Sequence, residues 1–239
     1  MNTVNAASIF AQNVTDLISR IEYRRAETDA DKEAIYRLRY QCYLREGAIQ
    51  PDESGRFSDN FDAAPNVWIF GLHLDGQLVS SIRVHVASAE HPIAPALAIF
   101  PDILGPRIER GEVIVDPTRF VVDYECSRQN PGLAYATVRL GMLASEHGDA
   151  DYALATVRTE HRAFYRRLLF MEPIGEPRAY PNLKDPINLM GVSFPELRQR
   201  VYDRYPFMMS TAAEQEQLFG PKRQTPKARE GGKGQAAAA

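Results

Sequence analysis

Asp116 and Arg119 stand three residues apart in Glu112-Val113-Ile114-Val115-Asp116-Pro117-Thr118-Arg119-Phe120-Val121-Val122, a run whose other members read as buried strand. A desolvated ion is costly unless something pairs with it, so charges here need a reason. Pro117 cannot donate to a sheet ladder, which predicts a bulge or a local break at that point. A carboxylate and a guanidinium beside a break in a strand form a candidate reaction site. An Asp/Arg pair on a solvent-facing edge strand is the alternative these residues leave open.

Other chemistry-bearing residues are sparse. His73, His85, His91, His147 and His161 have no metal-ligand spacing, and no metal site is expected. His85 lies two residues from Arg83 on the same strand face and is a candidate pocket residue. No serine nucleophile elbow and no phosphate-cradling loop is present. Cys42 and Cys126 are too few for a disulfide framework or a zinc site and read as free thiols. Arg158, Arg162 and Arg166 recur every fourth residue with Arg167 beside them, one basic stripe if the segment is helical.

The elements that must position these groups are legible in outline. Residues 5–21 make a short amphipathic helix through Ile9, Phe10, Val14 and Leu17. Residues 31–46 form a helix through Ile35, Leu38 and Cys42, capped by Asp29 or Asp31 and closed by Gly47. Residues 51–65 read as an acidic loop carrying Asp59 and Asp62. Strands at 67–74 and 78–86 flank Asp75-Gly76, a dipeptide suited to a two-residue hairpin turn. A connection with a short helix leads to the charged strand, then a turn at 128–132 to a helix at 133–147, a strand at 151–157 and a helix at 160–169. Segments 171–175 and 187–194 are the last strand candidates. The expected organisation is an N-terminal helical arm (1–20), one α/β domain (21–210) and a disordered tail (211–239), whose polar, glycine-rich and polyalanine composition cannot offset the entropy of ordering.

At 239 residues the chain can bury a substantial core. A net charge of −3 gives no reason to expect nucleic acid as the main partner. No apolar run is long enough for a transmembrane segment, and the start of the chain lacks the pattern of a signal peptide, so a cytoplasmic protein is expected.

A strand hairpin, a broken strand, a turn into a helix, another strand and a helix ending Ala163-Phe164-Tyr165-Arg166-Arg167-Leu168-Leu169-Phe170 together resemble the GNAT acyltransferase fold, with Leu169 standing where Gly is usual. Within that fold the chain resembles LuxI-type acyl-homoserine-lactone synthases and, more closely, FeeM-type N-acyl amino acid synthases. Leu38-Arg39 followed by Tyr43, the acidic pair Asp59 and Asp62, the strand arginine Arg83, and Asp116-Pro117-Thr118-Arg119-Phe120 carry the resemblance over residues 36–120. Asp116 is one methylene shorter than the family's Glu, and Thr118 replaces its Ser. The Trp that lactone synthases carry soon after the first helix is missing, since Trp68 lies on a strand, which leans toward the amino-acid acylators.

The resemblance implies transfer of a fatty acyl group from an acyl carrier protein thioester, or from acyl-coenzyme A, to the α-amino group of an amino acid, with no permanently bound cofactor. Asp116 would take the amine's proton, with Arg119 as its catalytic companion. Asp59 and Asp62 would hold the ammonium, or else form a buried ion network fixing the 51–65 loop; Arg39, Arg83 or Arg119 would receive the carboxylate. Thr118, Phe120 and the turn Arg128 to Gly132 and Leu133 would meet the donor, and Tyr165 is either an acid for the leaving thiol or a core aromatic. Arg158, Arg162, Arg166 and Arg167 would dock an acidic carrier protein, or simply form a solvated face. The rivals are a lactone synthase using S-adenosylmethionine, a GNAT acetylating a small amine from acetyl-coenzyme A, and a non-catalytic module that binds acyl groups or carrier protein.

Overall fold

The computed structural model describes residues 2–222, and side chains from Ile9 onward. Its elements in order are α1 Asn2–Arg20, β1 Ile21–Arg25, α2 Asp29–Arg45, β2 Val67–Leu74, β3 Gln77–Ala87, α3 Pro95–Ile99, α4 Pro101–Glu109, β4 Ile114–Val122, α5 Tyr124–Gln129, α6 Leu133–His147, β5 Tyr152–Val157, α7 Arg162–Leu169, β6 Glu172–Pro173, β7 Asn188–Ser193, α8 Phe194–Arg204 and α9 Ala212–Phe219, with short 3-10 turns between some of them. The strands form a single sheet in the order β1-β2-β3-β4-β5-β7-β6. Every pairing is antiparallel except that of β4 with β5. This is the mixed α/β architecture the resemblance implies.

Local chemistry sets the boundaries. Thr28 caps α2 by accepting from the Asp31 N–H while Asp31 bonds back to the Thr28 N–H, a reciprocal capping box, so the cap is Thr28 rather than Asp29 or Asp31. Asp75 and Gly76 both have positive φ (52° and 83°), which the tight β2–β3 hairpin requires. The 51–65 segment is not featureless loop: Asp59 and Asp62 form a second capping box around the 3-10 turn Asn60–Ala63.

Helices cover both faces of the sheet. Val14 and Leu17 of α1, the buried side of α6, and residues of α8 and α9 pack on one face. On the other face α3 and α4 pack against Ile114, Leu154 and Leu189, while α2 covers Ile69 and Val121 through Ile35, Leu38 and Cys42. Gly141 of α6 packs closely against β4, since a Cβ there would lie 3.0 Å from Pro117 Cγ.

The expectation of disorder from residue 211 is corrected. Thr211 caps α9, Leu218 and Phe219 are buried, and Arg139 of α6 pairs with Glu214 at 2.6 Å. The Phe219 ring packs against Trp68, Phe70 and His147, with ring centroids 5.0, 5.4 and 5.1 Å apart. Two apolar residues and a cap outweighed the polar composition. The rest of the expected tail, residues 223–239, lies outside the described residues.

Candidate active site

The site begins where two strands part. β4 pairs with β5 only at Ile114 with Tyr152 and Val115 with Ala153. Beyond that level β5 stays paired with β7 along its length, and β4 stays with β3. Pro117 does not break the strand as expected; it sits opposite Val84 within continuous β4. The irregularity lies just beyond it, where Thr118 to Val121 face Arg83 to Ser81 with one residue extra and Arg119 takes φ +53°. Ordinary alternation would put Thr118 and Arg119 on opposite faces. The bulge lets both serve one ion network: Thr118 Oγ1 accepts from Arg83 Nε at 3.0 Å, and Arg119 Nη2 donates to Asp59 at 2.6 Å.

That network gathers all the charged residues expected to bind the acceptor. Arg39 Nη1 donates to Asp62 at 2.8 Å, Arg83 Nη1 lies 3.0 Å from the same carboxylate, and Arg83 also donates to Asp59 through two nitrogens. Although burial opposes it, the guanidiniums of Arg83 and Arg119 hold Asp59 well below the usual carboxylate range, and those of Arg39 and Arg83 lower Asp62 against the same opposition. Three guanidiniums thus meet two carboxylates, leaving one positive charge in excess, with Arg39 Nε and Nη2 and Arg119 Nε lacking hydrogen-bond partners. Both carboxylates are therefore occupied by arginine. Arg39 and Arg83 are completely buried, which leaves Arg119 as the network's edge on the cavity. Its guanidinium carbon lies 4.2 Å from the Phe57 ring centroid and within 6 Å of those of Tyr43 and Tyr180.

Asp116 lies beside this network without joining it. It is fully buried; Oδ2 accepts from the Ala96 N–H at the start of α3 at 2.9 Å, and Oδ1 has no partner. Burial pushes its carboxyl up to about 7 against the smaller pull of that N–H and of Arg83. Across the ladder stands His85, whose Nε2 donates to the Phe61 carbonyl at 3.1 Å; burial and then the Arg83 charge lower it to about 3, so it is neutral.

Where the strands part, a cleft of about 350 Å³ opens, walled by Pro117 to Val121 on one side and by Thr156, Val157 and Arg158 on the other, with Phe164 and Tyr165 of α7 behind. Thr118, Phe120 and Tyr165 line it. Burial raises the Tyr165 phenol above its ordinary value, so it stays protonated. A narrow apolar slot of about 20 Å³ that shares Pro117 and Tyr165 with the cleft lies between Ile82, Met142, Met171 and Leu197. On the loop side a smaller recess shares Tyr43, Thr118 and Arg119 with the cleft and adds Tyr180. Among the described residues no group of His, Cys, Asp and Glu side chains is placed to hold a metal ion.

Several expected donor contacts lie elsewhere. Arg128 lies in the last turn of α5, is mostly exposed and pairs with Glu125. Gly132 and Leu133 are buried, and a Cβ on Gly132 would lie 3.0 Å from Leu17, so the missing side chain there accommodates α1. Only the next residue, Ala134, reaches the cleft. The single basic stripe is also corrected: α7 starts at Arg162, so Arg158 belongs to the cleft wall, while Arg166 and Arg167 are exposed on the helix and Arg166 pairs with Glu172. Sequence reasoning missed Phe57 and Tyr180; the signal for Phe57 was an aromatic, one of two with Phe61, in an acidic, turn-rich loop.

The model of the family described as N-acyl amino acid synthase FeeM matches residues 34–193 of this chain. Among solved structures, FeeM, an N-acyl amino acid synthase from uncultured soil microbes, superposes with a TM-score of 0.64 at 22% identity, covering 80% of this chain and 99% of that one. The lactone synthase fold is shared as well. TofI, in a ternary complex with an inhibitor and MTA, gives 0.57 at 12% identity over 80% of this chain and 100% of its own. BjaI, a CoA-dependent acyl-homoserine lactone synthase with MTA, gives 0.55 at 16% identity over 78% and 89%. No curated protein sequence matches the chain.

Proposed function

The chain belongs to the FeeM family of N-acyl amino acid synthases, and from that premise we propose that it moves a fatty acyl group from a phosphopantetheine thioester of acyl carrier protein to the α-amino group of an amino acid. It is an acyltransferase; the donor and the acceptor are the proposal. The observation that carries it is the parting of β4 from β5, which opens a cleft beside an apolar slot on one side and a charged, aromatic recess on the other.

The thioester carbonyl lies against the Pro117–Val121 segment, whose edge toward β5 has no strand partner, so that a backbone N–H of this segment, Pro117 itself having none, can serve the developing oxyanion. The acyl chain lies along the apolar wall of the cleft of about 350 Å³, which continues as the narrow slot between Met142, Met171 and Leu197. The acceptor enters from the side of Tyr180 and Phe57, and its carboxylate is drawn by the excess guanidinium charge centred on Arg119. Asp116, ionised in a substantial fraction near neutral pH but lining neither the cleft nor the recess, takes one proton from the ammonium through an intervening water. The neutral nitrogen attacks the carbonyl carbon, the amide C–N bond forms, and the C–S bond breaks. The second amine proton is lost as the departing thiolate is protonated, for which Tyr165 is available in the cleft wall. The α7 cations Arg162, Arg166 and Arg167 offer an acidic carrier protein a complementary surface.

Mass spectrometry of lipid extracts from cells making this chain, beside cells making the Asp116→Asn, Arg119→Ala double variant, tests the reading. New N-acyl amino acids, absent with the variant, are expected and identify both substrates. Acyl-homoserine lactones in their place refute the acceptor.

A further inference from the structure

One ion pair bridges the cleft itself. Arg158 follows the last residue of β5, and its Nη2 donates to Glu46, the residue that ends α2 on the opposite wall. Both residues line the cleft. The same guanidinium lies 3.1 Å from Glu160 and 3.2 Å from His161 Nε2. We propose that Arg158 binds the phosphate of the donor's phosphopantetheine arm and that Glu46 is the counter-ion this phosphate displaces, an inference that rests on the reading of the donor as a phosphopantetheine thioester.

Position supports the exchange. β4 and β5 pair last at Val115 with Ala153; from there Pro117 lies two residues along β4 and Arg158 five residues along the β5 chain, so Arg158 stands farther out by about 10 Å of strand rise. A thioester held against Pro117 with its acyl chain turned into the slot extends its arm toward that outer end. The backbone there is fixed: Asn188, almost fully buried, donates to the Val157 carbonyl and to Thr159 Oγ1, bracketing Arg158 on both sides. The arginine side chain is only 15% exposed, whereas Glu46 and Glu160 are 52% and 57% exposed. Arg158 is thus held in the wall while its acidic partners are free to yield to solvent, and exposed ion pairs of this kind are weak. A phosphodiester offers two oxygens in the plane of the guanidinium fork, which a single glutamate on a mobile stem does not match in charge-assisted geometry. Coenzyme A and carrier protein share this phosphate, so the site serves either source.

Calorimetric titration of the purified full chain with 4′-phosphopantetheine and with pantetheine tests this without turnover. Wild-type protein is expected to bind the phosphorylated arm more tightly, by on the order of tenfold. Arg158→Gln is expected to abolish the difference, and Glu46→Gln to preserve or enlarge it. A structural bridge would instead make the two variants change in the same direction, which overturns the proposal. So does equal binding of the two probes by wild-type protein. Kinetically, Arg158→Gln should raise KM for donors carrying the phosphate and leave KM for a phosphate-free acyl-N-acetylcysteamine thioester unchanged. A rise with acyl-carrier protein alone, or with acyl-coenzyme A alone, names the source. Equal rises with and without phosphate refute the inference while leaving the acyl-transfer reading intact; no transfer from any thioester defeats that reading instead.

Discussion

Replacing Asp116 with Asn should make the chain more stable at alkaline pH than the wild type, by an amount the burial of this carboxyl sets. The unfolded chain releases the proton near the ordinary value of 3.8, whereas the folded chain keeps it to about 7. Above 3.8 the unfolded state therefore binds fewer protons, and wild-type stability falls as pH rises, levelling off above 7. The full interval corresponds to about 4 kcal/mol, of which about 2–3 kcal/mol falls between pH 5 and pH 8. His85 acts in the opposite direction: folded it titrates at about 3 rather than 6.5, so it costs stability as pH drops below 6.5. The Asp116→Asn substitution removes the first effect and keeps the second, and an amide oxygen can still accept the Ala96 N–H. Urea unfolding at pH 5, 6.5 and 8, followed through Trp68, the single tryptophan, measures both proteins in one assay. The stability difference between variant and wild type should grow by about 2–3 kcal/mol from pH 5 to pH 8. Parallel pH profiles would refute the reasoning and mean that Asp116 ionises normally.

Arg83→Ala leaves Asp59 and Asp62 without the guanidinium they share and should cost about 3–5 kcal/mol in urea unfolding; a loss under about 1 kcal/mol would mean the network is not a structural unit. Phe219→Ala should lower stability by about 3–5 kcal/mol and shift Trp68 emission to the red, and unchanged emission would argue against α9 docking on β2. Met171→Ala enlarges the apolar slot and should move the acylated products toward longer chains, as read by mass spectrometry; an unaltered distribution would place the acyl chain elsewhere. Arg162→Glu with Arg166→Glu should raise KM for an acyl carrier protein donor and not for a small thioester, and equal effects on both would count against docking on α7.

The local features of this fold were legible in the sequence because they depend on neighbouring residues. Asp75-Gly76 forms its hairpin and α6 runs Leu133–His147 as its spacing implies, whereas Arg39, Asp59, Asp62, Arg83 and Arg119, which converge from distant segments, were grouped by the family resemblance. Their roles were less legible. Whether Asp59 holds a substrate ammonium or an arginine depends on what lies across 60 residues of chain, and the structure gives it Arg83 and Arg119. Pro117 signalled an irregular strand, yet the extra residue was absorbed at Arg119, since one unpaired position can be accommodated anywhere between two fixed pairs. The parting of β4 and β5 is a property of three strands together and leaves no local trace. Arg158 read as part of a helical stripe by period alone, because nothing in the spacing reveals that the helix starts four residues later.

The central claim is tested most directly by incubating the purified chain with a long-chain acyl carrier protein thioester and a mixture of the common amino acids, measuring free thiol and N-acylated product together. The account predicts that thiol release depends on an amino acid, that one N-acyl amino acid appears in equal amount, and that Arg119→Ala loses both. Thiol release independent of any amino acid, or none with any acceptor, would contradict it.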